Sequence, residues 1–203
     1  AEENGAYPAG HTLGALGLVV RGPDGEPAPE VPVVISVAGD AGSLAGGKQS
    51  ARATSDDDGR VSVACTLPER AGSFELDVAI PEQPGPPTRL RLAVAAGKPA
   101  TVEARGNHQA AVAGMRLPLP LGVRVADRFG NPVAGVPVTF RVTDGTGRLG
   151  AGAGSGEHTV ATDASGVASS PFVVASEAGP NKVTATVQGA EHPVEFTAFG
   201  TEV

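Results

Sequence analysis

Along much of this chain the apolar side chains stand at every second position. Val136, Val138, Phe140 and Val142 alternate with Thr139, Arg141 and Thr143, and Val183, Ala185 and Val187 alternate with Thr184 and Thr186. Val194, Phe196 and Ala198 repeat the pattern towards the C-terminal end. Earlier it runs through Val31, Val33, Ile35 and Val37, through Phe74, Leu76, Val78 and Ile80, and through Leu90, Leu92 and Val94. Successive side chains of a strand point to opposite faces, so this period predicts antiparallel strands with one face buried and one wet. Turn signals separate them: Asp24-Gly25, Asp58-Gly59, Phe129-Gly130-Asn131-Pro132, Ser165-Gly166 and Gly179-Pro180-Asn181. Gly and Asn accept positive φ at such places, and Pro ends ladder pairing. No segment holds a capped apolar pattern of helical period, so almost no helix is expected, and sheets must bury their faces on each other. The expected fold class is all-β, with some fourteen short strands.

The pattern occurs twice. LGLVVRGPDGEPAPEVPVVISV, from Leu16, aligns without a gap on LGVRVADRFGNPVAGVPVTFRV, from Leu121, an offset of 105 residues. Gly25 and Pro27 meet Gly130 and Pro132; further on, at an offset of 107, Gly59 meets Gly166 and Ala71-Gly72 meets Ala178-Gly179. A unit of about a hundred residues is the size of one β-sandwich. Two tandem sandwiches are therefore expected, over residues 1–97 and 98–203. RLRLAVAA passes through Gly97-Lys98-Pro99 straight into ATVEAR, without a Gly/Ser or Pro-rich linker, which predicts a restrained, rod-like tandem.

The copies differ at their start. The segment Lys98 to Arg105, read as the first strand of the second sandwich, has no counterpart ahead of Leu16. The first copy is thus expected to be degenerate and to lack its first strand, leaving an unpaired sheet edge. Three explanations stay open: a longer array divided at this point, the residues AEENGAYPAGH filling the place irregularly, or a neighbouring subunit donating a strand.

The run GKPATVEARGNHQAAVAGMRLPLPLGVRVADRFGNPVAGVPVTFRV, followed by TDASGVAS, AGPNKVTATV and VEFTAFG, resembles the bacterial immunoglobulin-like group 1 domain of intimin and invasin type proteins. The first copy keeps GEPAPEVPVVISV and DDDGRVSV but has Gly25-Glu26-Pro27-Ala28 for GNPV and AGSF for AGPN. The resemblance implies two immunoglobulin-like β-sandwiches in an extracellular or cell-surface protein, used as a tandem spacer or adhesive stalk, and the unpaired edge adds a subunit of an extracellular filament to the expected roles. It implies no catalytic residues. The alternative is an accessory glycan- or protein-binding module of a larger secreted enzyme.

Composition narrows the function classes further. The net charge is −7, from 15 Lys+Arg and 22 Asp+Glu, with no basic stripe, so nucleic acid and insertion into an anionic membrane are disfavoured. Residues 1–97 carry most of the acidity. The longest apolar candidate, Leu13 to Val20, is far too short to span a bilayer. One Tyr and no Trp leave few platforms for sugar rings, which argues against glycoside hydrolysis and weakens a glycan-binding site without removing a surface glycan from the candidate partners. The remaining candidate partners are proteins, or a second copy meeting the exposed edge of the first domain.

Candidate chemistry is sparse. Asp56-Asp57-Asp58-Gly59 holds an Asp-x-Asp-Gly fragment, so Asp56 and Asp58 are weak calcium candidates, but the distal ligands of a calcium loop are missing. The second copy has Asp163-Ala164-Ser165-Gly166 there, which favours a turn. Cys65, the only cysteine, alternates with Val61, Val63 and Leu67 and reads as a small core residue. His11, His108, His158 and His192 are scattered, with His108 and His158 expected in polar loops. Ser155 lacks the flanking glycines of a nucleophile elbow. The Gly-rich run from Gly147 to Gly156 lacks the lysine of a phosphate loop and reads as a flexible connection. No enzyme activity, cofactor or metal is expected. The residues that carry the fold are the turn positions Gly25, Pro27, Gly59, Gly130, Pro132 and Gly166. The chain opens on AEEN, with neither Met nor a signal peptide, as a mature secreted chain or an excised piece would.

Overall fold

The computed structural model describes residues 5–39 and 41–202. The chain forms two compact units that divide between Ala96 and Gly97. In the first, β1 (Tyr7–Pro8), β8 (Thr88–Ala95), β7 (Gly72–Ala79), β3 (Pro32–Val37) and β5 (Ser50–Thr54) form one sheet in that order. The second sheet is β2 (Thr12–Val19), β6 (Arg60–Thr66) and β4 (Ser43–Leu44). All ladders are antiparallel except β1 on β8.

The second unit repeats this plan. β10 (Gln109–Val112), β18 (Val194–Thr201), β17 (Gly179–Val187), β12 (Pro137–Asp144) and β14 (Glu157–Ala161) form one sheet. Facing it are β15 (Val167–Ser170), β11 (Leu121–Ala126) and β9 (Thr101–Arg105), with a small ladder of β13 (Arg148–Leu149) and β16 (Phe172–Val173). The fold is all-β, two tandem immunoglobulin-like sandwiches, and the described helical structure is one 3-10 turn at Ala45–Gly47. The eighteen described strands exceed the fourteen expected because the short pieces β1, β4, β13 and β16, two residues each, carry no periodicity to read.

Inward-facing residues make each core. In the first unit Val33, Ile35, Val61, Cys65, Leu67, Phe74 and Leu76 are buried. In the second, Leu121, Val123, Val125, Val138, Phe140, Phe172 and Phe196 are buried together, with the rings of Phe140 and Phe196 tilted and 6.2 Å apart. Phe172 aligns with Cys65, so the second core holds an aromatic ring where the first holds a thiol.

The cores also differ at one wall. In the second unit β9 pairs with β11, from Gly122 opposite Arg105 to Ala126 opposite Thr101, and Val102 packs on the core. Leu121, Val123 and Val125 are consequently fully buried. Among the described residues of the first unit, β2 pairs with β6 alone, and the aligned Leu16, Leu18 and Val20 are half-buried.

Candidate functional site

The turn residues singled out in the sequence meet in pairs at one corner of each unit. Gly59 (φ +71°) lies against Pro27, and a Cβ there would stand 2.6 Å from the Val20 carbonyl oxygen. Gly166 (φ +74°) lies in the same way against Pro132 and the Val125 carbonyl oxygen. The Gly59 carbonyl accepts from Val20 N at 2.7 Å, as that of Gly166 accepts from Val125 N at 2.8 Å. Both positions therefore require glycine twice over, for the left-handed backbone and for the close approach. Gly25 and Gly130 each have φ +84° with open space around them, so only their backbone conformation selects glycine.

The same corner holds the acidic motif. Asp56 Oδ1 accepts from Asp58 N at 3.0 Å and Arg60 N at 2.8 Å. Asp163 Oδ1 accepts from Ser165 N at 2.8 Å and Val167 N at 3.0 Å, and from the Ser165 hydroxyl at 2.6 Å. The Ser165 hydroxyl and these backbone donors hold the Asp163 carboxyl below the usual carboxylate range. Asp58 makes an exposed ion pair with Arg60 at 3.9 Å. In both copies the first aspartate closes its own turn, and among the described residues no three His, Cys, Asp or Glu converge to hold a metal ion.

Other candidates fall elsewhere. Cys65 is 1% exposed and burial pushes its thiol pKa up, the opposite of what a nucleophilic thiolate needs. His108 sits in a turn, at φ +56°. His158 is not in a loop, as expected from the polar sequence, but in β14, half-buried, with Nδ1 2.9 Å from the Ser170 hydroxyl. The Gly-rich run is likewise not a featureless connection. It contains β13, whose Leu149 is buried and exchanges two backbone hydrogen bonds with Ser155. Gly147 lies too close to the Phe172 ring to admit a side chain.

One polar site was missed in the sequence. Asp127 is 1% exposed, and its carboxylate accepts from Phe129 N (2.9 Å), Asn131 N (2.9 Å), Asn131 Nδ2 (2.9 Å) and Gly97 N (2.8 Å). Burial raises its pKa, but the Asn131 amide and the three backbone donors outweigh this and lower it. The signal was present as an Asp four residues before an Asn around Gly130, which reads equally as a plain turn.

The open edge remains. Where β9 lies in the second unit, the first has a groove of about 500 Å³, between Leu18 and Val20 on one side and Val78, Ile80 and Leu90 on the other. Val19, on the outer face of β2, is 51% exposed.

Sequence comparison agrees with the geometry of the second unit: residues 101–198 match the bacterial Ig-like domain (group 1). The second unit is a bacterial group 1 Ig-like domain. Among solved structures, the chain is similar to the Escherichia coli adhesin FdeC, at 21% identity over 98% of this chain and 62% of that one, with a TM-score of 0.58. It is also similar to Yersinia pseudotuberculosis InvD, at 14% identity over 93% of this chain and 52% of that one, with a TM-score of 0.57. The chain thus spans little more than half the length of these two structures, and at such identities the likeness shows a shared Ig-like fold. Among curated proteins no sequence matches this one. The group 1 match begins at Thr101, the first residue of β9, the strand that has no described counterpart beside β2 in the first unit.

Proposed function

We propose that this chain is a non-enzymatic structural or adhesive module of a bacterial cell-surface or secreted protein, serving as spacer, stalk or subunit of an extracellular assembly. The observation that carries this reading is the group 1 Ig-like domain at residues 101–198, joined to a first unit built on the same plan. The adhesin FdeC shares that fold. The turn residues Gly25, Pro27, Gly59, Gly130, Pro132 and Gly166 act structurally, holding the corners of two tandem domains. Polar groups turn inward to the fold as well: among the described residues, every buried side-chain nitrogen and oxygen has a hydrogen-bond partner. Protein partners, or a second copy, would dock on the open edge of the first unit. No described helix is long and apolar enough to cross a membrane.

Electron microscopy and light scattering on the secreted protein that contains this chain, with antibody labelling of intact cells, test the proposal. Rods or filaments at the cell surface are the expected result. A catalytic domain on the same polypeptide, with activity lost when this chain is removed, would overturn it in favour of an accessory module.

A further inference from the structure

The open edge carries features that select its occupant. β2 is eight residues long, and Thr12–Val19 contains no Asp, Glu, Lys, Arg or Pro. Charge and proline are the usual devices that keep edge strands from pairing. The other edge strands of five residues carry them: Arg52 on β5, Glu103 and Arg105 on β9, Glu157 on β14. In a chain of net charge −7, copies repel one another over most of their surface, and β2 offers an edge without acidic residues, its nearest charge being the cationic Arg21 that follows it.

The ladder sets a register. Val20 N donates to Gly59 O and Val20 O accepts from Ala28 N, so Val20 faces its own sheet. By the alternation of an antiparallel ladder, Gly17, Val19 and Arg21 turn their N–H and C=O outward. The aligned residue pair in the second unit agrees, since Ala126, equivalent to Arg21, accepts from Ala100 N on that side. Three outward residues centred on Val19 are self-complementary: a two-fold axis there pairs Gly17 with Arg21 of the second copy and Val19 with itself. A Cβ at Gly17 would meet nothing within 4 Å, which leaves room opposite the long Arg21 side chain. Leu18 and Val20 then oppose each other on the inner face, over the groove.

Resting on the proposed self-association through this edge, we infer that two copies of the chain join β2 to β2, antiparallel about Val19, in a closed two-fold pair. Each first unit thereby gains from its partner the strand that β9 supplies to the second unit.

The test uses the full chain. Opposed residues of a hydrogen-bonded antiparallel pair lie about 5.5 Å apart at Cα, within disulfide reach. Val19→Cys therefore cross-links to its own copy under mild oxidation, at least about tenfold faster than Arg52→Cys on the charged edge β5, because pairing raises the local thiol concentration. Cys65 does not interfere, being 1% exposed. Val19→Lys abolishes the dimer in sedimentation velocity while the variant keeps the far-UV circular dichroism spectrum of the unmodified chain, since Val19 is 51% exposed in the single chain. If Val19→Lys disperses the assemblies but Val19→Cys fails to cross-link, a donated strand fills the groove; the two-fold pair is overturned and the edge reading stands. If the unmodified chain stays monomeric at high concentration and both cysteine variants cross-link alike, pair and edge fall together, leaving the spacer reading of the second unit intact.

Discussion

Removing the carboxylate of Asp127 is the sharpest test of how the second unit is held. Asp127→Ala leaves four donors without their acceptor: Gly97 N, Phe129 N, Asn131 N and Asn131 Nδ2. Gly97 and Phe129 are only half-buried, so water replaces much of what they lose, whereas Asn131 is 7% exposed. Two buried donors at roughly 1–3 kcal/mol each, partly offset by relaxation of the turn, give a loss of about 3 kcal/mol. For a unit of about a hundred residues that is a fall in melting temperature of roughly 10–20 °C. The first unit has Gly22 at the aligned position, and its hairpin carboxylate, Asp24, accepts one exposed bond from Glu26 N at 3.1 Å. Asp24→Ala should therefore cost less than about 1 kcal/mol. Calorimetry on the full chain resolves the two effects.

The sign of the pH dependence follows from the lowered pKa of Asp127. A carboxyl that is more acidic folded than unfolded stabilises the fold at pH values above its unfolded pKa, about 3.9. That contribution is lost as pH falls through the folded value. The stability gap between the unmodified chain and Asp127→Ala should be full at pH 7 and shrink below about pH 4. Equal melting temperatures at pH 7, or a gap that does not shrink in acid, would refute the reasoning.

Further outcomes are expected. Gly166→Ala, which combines left-handed strain with a clash on the Val125 carbonyl oxygen, should destabilise the second unit by roughly 2–4 kcal/mol in urea unfolding, and Gly59→Ala should do the same to the first. Phe172→Ala should cost roughly 3–5 kcal/mol, against about 1 kcal/mol for Cys65→Ala at the aligned site, because far more buried volume is removed. Cys65 should react with a thiol reagent only on unfolding, as a buried thiol with a raised pKa must. Millimolar calcium should leave the melting curve unchanged, since Asp56 Oδ1 already accepts from Asp58 N and Arg60 N. An upward shift that Asp58→Asn removes would reverse that assignment.

The sequence by itself determined most of the longer strands, the turns and the duplication. The run from Val136 to Val142, for instance, coincides with β12 except that Val136 stands just ahead of the strand, and its burial alternates as the period predicted. These are local properties: period two needs only neighbours on the chain, and a left-handed turn needs only its glycine. Which alternating residues are truly buried was decided elsewhere. Leu16 and Leu121 have the same place in the repeat, yet Leu121 is sealed and Leu16 is not, because β9 lies beside β11 and no described strand lies on the free side of β2. Asp127 and His158 make the same point for polar groups. Each reads as a surface residue until tertiary packing closes over it and supplies Gly97 N to one and Ser170 to the other. Burial and hydrogen bonding across 12 to 30 positions depend on what distant segments cover, and only the folded chain brings those segments together.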